Sequence, residues 1–147
     1  MTAEPEGRRL LVFVAAGDRY GCPIDAVREI IPYRAATRLP GAPAHVVGLI
    51  NLRGRLVAVS DFAVHVGGRD GAAARRTTGS IILVQSGARM VGVLVDEVRD
   101  VRPVRPDAIE PIQRHAAASG VLNALARFDD GPAVVLDADA FVAHVLQ

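Results

Sequence analysis

The sequence has no tryptophan, no lysine and a single cysteine, Cys22. Each scarcity excludes something. One cysteine forms no internal disulfide and has no neighbouring thiol with which to hold a metal, so Cys22 reads as a small buried hydrophobe. Six aromatic residues, four Phe and two Tyr, in 147 positions are few for a base-stacking platform. The 17 cationic residues face 16 acidic ones, leaving a net charge of +1, so no basic field marks a nucleic-acid partner. Half of the chain is apolar, yet no run approaches the ~18 uninterrupted apolar residues of a membrane helix. Behind "MTAEPEGRR", the run "LLVFVAA" is broken at Gly17-Asp18, which argues against a signal peptide. A cytosolic protein with no direct membrane insertion is expected.

A catalytic constellation is missing too. His45, His65, His115 and His144 are scattered along the chain, without the close or paired spacing of zinc motifs. They read as surface or capping residues. Ser60-Asp61 is not a nucleophile elbow, and "GLINLRGR" lacks the Gly-Lys-Ser/Thr of a phosphate loop. Asp25 and Asp96 fit turn closure at strand ends better than a carboxylate pair. No catalytic residue, metal ligand or cofactor is expected.

What is present is a series of short apolar segments separated by turn chemistry. "RLLVFVAA" and "RYGCPI" flank Gly17-Asp18, "GLINLR" and "RLVAVSD" flank Gly54, "SIILVQ" and "RMVGVLV" flank Ser86-Gly87-Ala88, and "VLNALARF" and "AVVLD" flank Asp129-Asp130-Gly131. Each reads as a hairpin. Single strands near 27–33 and 97–104 bring the total to about ten, the pattern of an all-β barrel or sandwich. Pro103 and Pro106 push 97–106 to a sheet edge. Helix is sparse. "APAHVV" after Pro43 suits one turn. The C-terminal "DADAFVAHVLQ" places Phe141, Val142, Val145 and Leu146 on one face, with Asp137 or Asp139 as cap. The Gly-rich stretch 67–79 reads as a surface loop between two halves.

The chain also repeats itself. "GCPIDAVREI" (21–30) matches "GVLVDEVRDV" (92–101) at an offset of 71, and "GLIN" (48–51) echoes "GVLN" (120–123) at an offset of 72. Two similar β-lobes with a shared interface are expected, since each alone buries too little surface. A groove between them is a natural peptide site.

The segments "LLVFVAAGDRYGCPIDAVREI", "TRLPGAPAHVVGLINLRGRLVAVSDF" and "VGVLVDEVRDV" resemble the CheW family of chemotaxis coupling proteins, over nearly the whole chain from Arg9 to Leu146. The resemblance implies a flexible N-terminus (1–8) and one domain (9–147) of two intertwined five-stranded SH3-like barrels with a short C-terminal helix. It implies a cytoplasmic, non-catalytic scaffold. Such a scaffold couples the helical tip of a chemoreceptor to the regulatory domain of a CheA-type histidine kinase, and so joins membrane receptor arrays through its partners. In family terms, Arg53 of the "NLRG" turn, beside Asn51 and Gly54 and paired with Glu29, borders the receptor groove. Val27, Val98 and Val101 form the apolar floor of that groove. Gly48, Leu49 and Leu56 are candidates for the kinase face. The pathway served, flagellar chemotaxis or another form of motility or surface sensing, stays open. The rival readings are a nucleic-acid-binding small barrel and an enzyme of unidentified type. The neutral charge balance and few aromatics oppose the first, and the missing constellation opposes the second.

Overall fold

The computed structural model describes residues 8–67, 78–112 and 120–146. Most of the loop expected at 67–79, the N-terminal residues 1–7, His115 and most of the Ala-rich segment after Pro111 lie outside that range. Alternating apolar and polar residues build the strands. In chain order these are β1 (Arg8–Ala15), β2 (Asp18–Pro23), β3 (Val27–Pro32), β4 (Val46–Leu52), β5 (Arg55–Asp61), β6 (Ser80–Ser86), β7 (Arg89–Val95), β8 (Glu97–Val104), β9 (Ile109–Pro111), β10 (Leu122–Phe128) and β11 (Gly131–Leu136). Helix α1 (Phe62–His65) follows β5 and helix α2 (Ala138–Val145) follows β11.

The strands form two sheets, ordered β8-β1-β2-β11-β10-β9 and β3-β6-β7-β5-β4. The fold is therefore all-β, with all four expected hairpins in place. One sheet has the five strands expected. The other has six, because the three-residue β9, too short to show a period, pairs onto β10. Each sheet takes strands from both halves of the chain, and each has one parallel join, β2 with β11 and β5 with β7. The lobes are intertwined by those joins.

The internal repeat maps onto the fold with one correction. The offset of 71 superposes β2 and β3 on β7 and β8, down to a register shift after Val27 and another beside Val98. The echo of "GLIN" in "GVLN" is not a structural equivalence. The hairpin-closing pairs Leu52↔Arg55 and Phe128↔Gly131 are 76 positions apart, as are the register shifts after Val46 and Leu122. Asp61 N–H donates to His45 O and Asp137 N–H to Val121 O, both at 2.7 Å, which fits the same offset. The second lobe therefore has five more residues between its edge strand and its last hairpin than the first (76 − 71).

A central core joins the lobes. Phe13, Tyr20, Phe62 and Phe141 pack there with ring centroids 4.7–5.9 Å apart, beside the fully buried Cys22. Burial pushes the Cys22 thiol up to about 12, as expected of an inert core cysteine. The two helices plug the core. Asp61 Oδ1 accepts from Val64 N–H at 3.3 Å and Asp137 Oδ1 from Ala140 N–H at 3.1 Å, so each helix has a carboxylate N-cap. Phe141, Val142 and Val145 are buried as expected, but Leu146, one residue past α2, is 41% exposed. "APAHVV" forms a turn closed by Val46 N–H to Pro43 O at 3.0 Å and leads into β4 rather than into a helix. Among the described residues no helix is long and apolar enough to cross a membrane.

Candidate functional site

The β4–β5 hairpin turns through Arg53 and Gly54, whose φ angles are +52° and +85°. Two-residue hairpin turns of the primed kind require left-handed backbone at both central positions. Glycine adopts it freely, whereas a long side chain such as Arg53 is held there at a cost of roughly 1–2 kcal/mol. Asn51 supports the turn, its Oδ1 accepting from Gly54 N–H at 2.9 Å. Arg34 Nη1 donates to Asn51 O at 2.8 Å from the opposite side.

Arg53 Nη2 pairs with Glu29 Oε1 on β3. β3 lies at one edge of its sheet and the β4–β5 hairpin at the other, so the pair clasps the seam where the sheet curls on itself. Arg53 is 67% exposed and Glu29 34%, so the pair contributes on the order of 0–1 kcal/mol to stability. Its main effect is geometric, fixing the direction of a guanidinium. Around it opens a shallow depression lined by Arg28, Glu29, Leu52, Arg53, Arg55 and Met90. Arg55 is held by donation to Ala88 O at 3.0 Å. With three arginines and one acid, the depression favours an acidic visitor.

Glu29, Asn51, Arg53 and Gly54 thus come together as expected. Val27 shares β3 with Glu29, but is half-buried against the central core. Val98 packs against the same core from β8, at the edge of the other sheet, while Val101 on β8 is 43% exposed. None of the three valines lines the arginine-rich depression. On the far edge, Gly48 has φ +150° and a Cβ there would lie 2.2 Å from Thr37 O, so this position admits only glycine. Leu49 pairs with Thr37 through backbone bonds of 2.7 and 2.8 Å. Leu56, directly across β4 from Asn51, is 66% exposed, the most exposed large apolar side chain described.

Three of the scattered histidines converge. One ring nitrogen each from His45, His65 and His144 lies within 4.8 Å of the others. His65 is buried and the other two are half-buried, against the surface placement expected from sequence. Burial first, and then the neighbouring imidazoles, lowers the proton affinity of His45 and brings His65 down to about 3. No local spacing announces this group, because the turn before β4 and the two helices contribute one member each. Asp25 is exposed in a single helical turn between β2 and β3. Asp96, between β7 and β8, accepts from Ala16 N–H at 2.8 Å, a long-range tie to the β1–β2 turn rather than closure of its own turn.

Comparison with known proteins bears on the family and the fold. Residues 9–146 match the family model described as a CheW-like domain. The chain is 41% identical over 106 residues to the chemotaxis protein CheW of Rhizobium meliloti (strain 1021), an alignment covering 71% of this chain and 66% of that protein. It is 28% identical over 145 residues to the chemotaxis protein CheW of Klebsiella aerogenes, covering 97% and 86% respectively. Among solved structures it superposes on the scaffolding protein TtCheW of Thermoanaerobacter tengcongensis with a TM-score of 0.79 and 26% identity, covering 92% of this chain and 88% of that one.

Proposed function

The chain belongs to the CheW-like family, and from that premise we propose that it is a chemotaxis coupling adaptor whose Arg53 turn meets the receptor. It is a non-catalytic scaffold: it works by holding partners in register, with no covalent step. The partners are the cytoplasmic tip of a chemoreceptor, a helical hairpin, and the regulatory domain of a CheA-type histidine kinase. Through them the protein joins receptor arrays at the membrane.

The observation that carries the receptor assignment is Arg53 itself. Ala16 in the β1–β2 turn is left-handed too, with φ +51°, so the primed turn sets that backbone, and what distinguishes Arg53 is an exposed guanidinium held in one direction. Glu29 holds the guanidinium, Asn51 and Gly54 hold the turn, and the surplus of arginine around them suits a carboxylate on the receptor helix. A planar guanidinium makes such a contact bidentate. The exposed Val101 and the half-buried Val27 and Val98 offer apolar surface to the same helix outside the arginine-lined depression. The kinase face is β4 and its neighbour, through Gly48, Leu49 and the exposed Leu56. Covering the two-thirds-exposed Leu56 with a partner removes apolar surface from water.

The test is paired capture with purified kinase regulatory domain and receptor-tip fragment. Arg53→Ala should weaken receptor capture at least tenfold and leave the kinase bound, and Leu56→Glu should do the reverse, both with unchanged circular dichroism. If both variants capture both partners like the wild type, the two faces are wrongly placed. If the wild type captures neither partner, the coupling assignment fails for these partners.

A further inference from the structure

The geometry points to a binding site for one first-row divalent transition-metal ion, zinc in the first place, formed by His45, His65 and His144. The site lies at the Val46–Ser60 end of the β4–β5 pair, opposite the end that carries the Arg53 turn.

The backbone converges on it from three directions. Asp61 N–H donates to His45 O at 2.7 Å, tying the residue before β4 to the start of α1. The N-cap of α1 then sets His65, and α2 sets His144 one turn beyond Phe141, against which the His65 ring packs at 4.8 Å. The imidazole centroids are 4.1 Å apart for His45 and His65, 4.7 Å for His65 and His144, and 6.0 Å for His45 and His144.

The hydrogen bonds set the tautomers. Ser60 Oγ lies 3.0 Å from His45 Nδ1 and 3.3 Å from His65 Nδ1. A hydroxyl oxygen has two lone pairs, so it can accept from both Nδ1–H groups and leave both Nε2 lone pairs free. This is the outer-shell arrangement that metal-binding histidines use, in which the ring N–H not facing the metal donates to a fixed oxygen. Among the described residues, His65 Nε2 and His144 Nδ1 are buried without a hydrogen-bond partner. His65 is itself only 8% exposed. Ring stacking alone leaves those two atoms unexplained, because an apolar ring would stack as well without burying unpartnered nitrogen. A metal satisfies both.

The donor set selects the ion. Imidazole nitrogen suits Zn, Cu, Ni and Fe, whereas Ca and Mg require oxygen. Ligating imidazole must be neutral, so uptake is expected to weaken as the solution is acidified. Three protein ligands leave a fourth tetrahedral position for water or an incoming group. A bound ion would pin the C-terminal helix to the turn before β4.

The test uses the full chain without an affinity tag, stripped with EDTA and titrated with Zn²⁺ against a chromophoric chelator. One equivalent should bind, and Co²⁺ should give the visible bands of a tetrahedral site. His144→Gln and His45→Gln should each weaken Zn²⁺ binding at least 100-fold, Ser60→Ala by about 10–100-fold, and His115→Gln not at all. In case a variant unfolds, ring-nitrogen NMR of the wild type should show Zn²⁺-induced shifts at His45, His65 and His144 and none at His115. Binding that survives His144→Gln in a folded protein, shifts at His115 alone, or no stoichiometric uptake would each overturn the site.

Discussion

The two lobes close their seams with opposite charges. In the first lobe the hairpin tip is cationic and the edge strand acidic, Arg53 reaching Glu29. In the second the tip is acidic and the edge strand cationic: Asp130 accepts from Arg102 of β8 at 3.0 Å and from Arg19 of β2 at 3.2 Å. Arg102 also stands over the Phe128 ring, 4.4 Å from its centroid, an arrangement that adds cation–π attraction. Two guanidiniums hold Asp130 down to about 2. The second tip is locked by several interactions at once, while the first has one exposed pair and a strained residue. One fold unit, used twice, has kept a structural clasp on one side and a presented side chain on the other.

The largest test of this asymmetry lies at the bulges. Gly48 and Ala124 occupy equivalent positions, yet only Gly48 has Thr37 O against its missing Cβ. Gly48→Ala should cost roughly 2–4 kcal/mol by overpacking and backbone strain together. Ala124→Gly should cost only about 1 kcal/mol. Urea midpoints of the two variants measure the difference, and equal losses would mean that the first lobe's edge is not special.

Next comes Arg53→Gly. It removes left-handed strain, against the added chain entropy of glycine, so stability should stay level or rise by up to about 1 kcal/mol while receptor capture is lost. A clear loss of stability would make Arg53 a clasp like Asp130 and erase the contrast. Asp130→Asn should lower stability at neutral pH, and the sign of its pH dependence is fixed. Because the folded carboxyl sits below its ordinary 3.8, its contribution is present above that value and lost as pH falls toward 2. The variant and the wild type should therefore converge in urea midpoint across that window. The smallest effect is expected at Cys22, whose counterpart in the second lobe is the fully buried Val93. Thiol reagents at pH 8 should leave the native protein unmodified, and Cys22→Val should cost less than about 1.5 kcal/mol.

Much of the fold was legible because hairpins announce themselves locally. Gly54, Gly87 and Gly131 mark turns, and Pro103 of β8 marks an edge. The C-terminal helix was visible in the spacing of Phe141, Val142 and Val145. α1 was not, since four residues hold barely one period, although Asp61 is the kind of cap that would have flagged it. The site was half legible. Arg53, Asn51 and Glu29 were reached through a motif, but the left-handed backbone of Arg53 and the distance of Val98 and Val101 from it depend on how the sheets curl. The histidine group was invisible, because tertiary packing alone unites residues 45, 65 and 144.

The parallel joins of β2 to β11 and β5 to β7 also set an order of events during synthesis. Leaving the ribosome, β2 has β1 on one side and an open edge on the other until β11 is made near the end of the chain. The first half cannot finish on its own, and its exposed strand must be kept from pairing wrongly in the meantime. The pairing that ties the two lobes together also makes the fold a late one, committed only when the β10–β11 hairpin arrives.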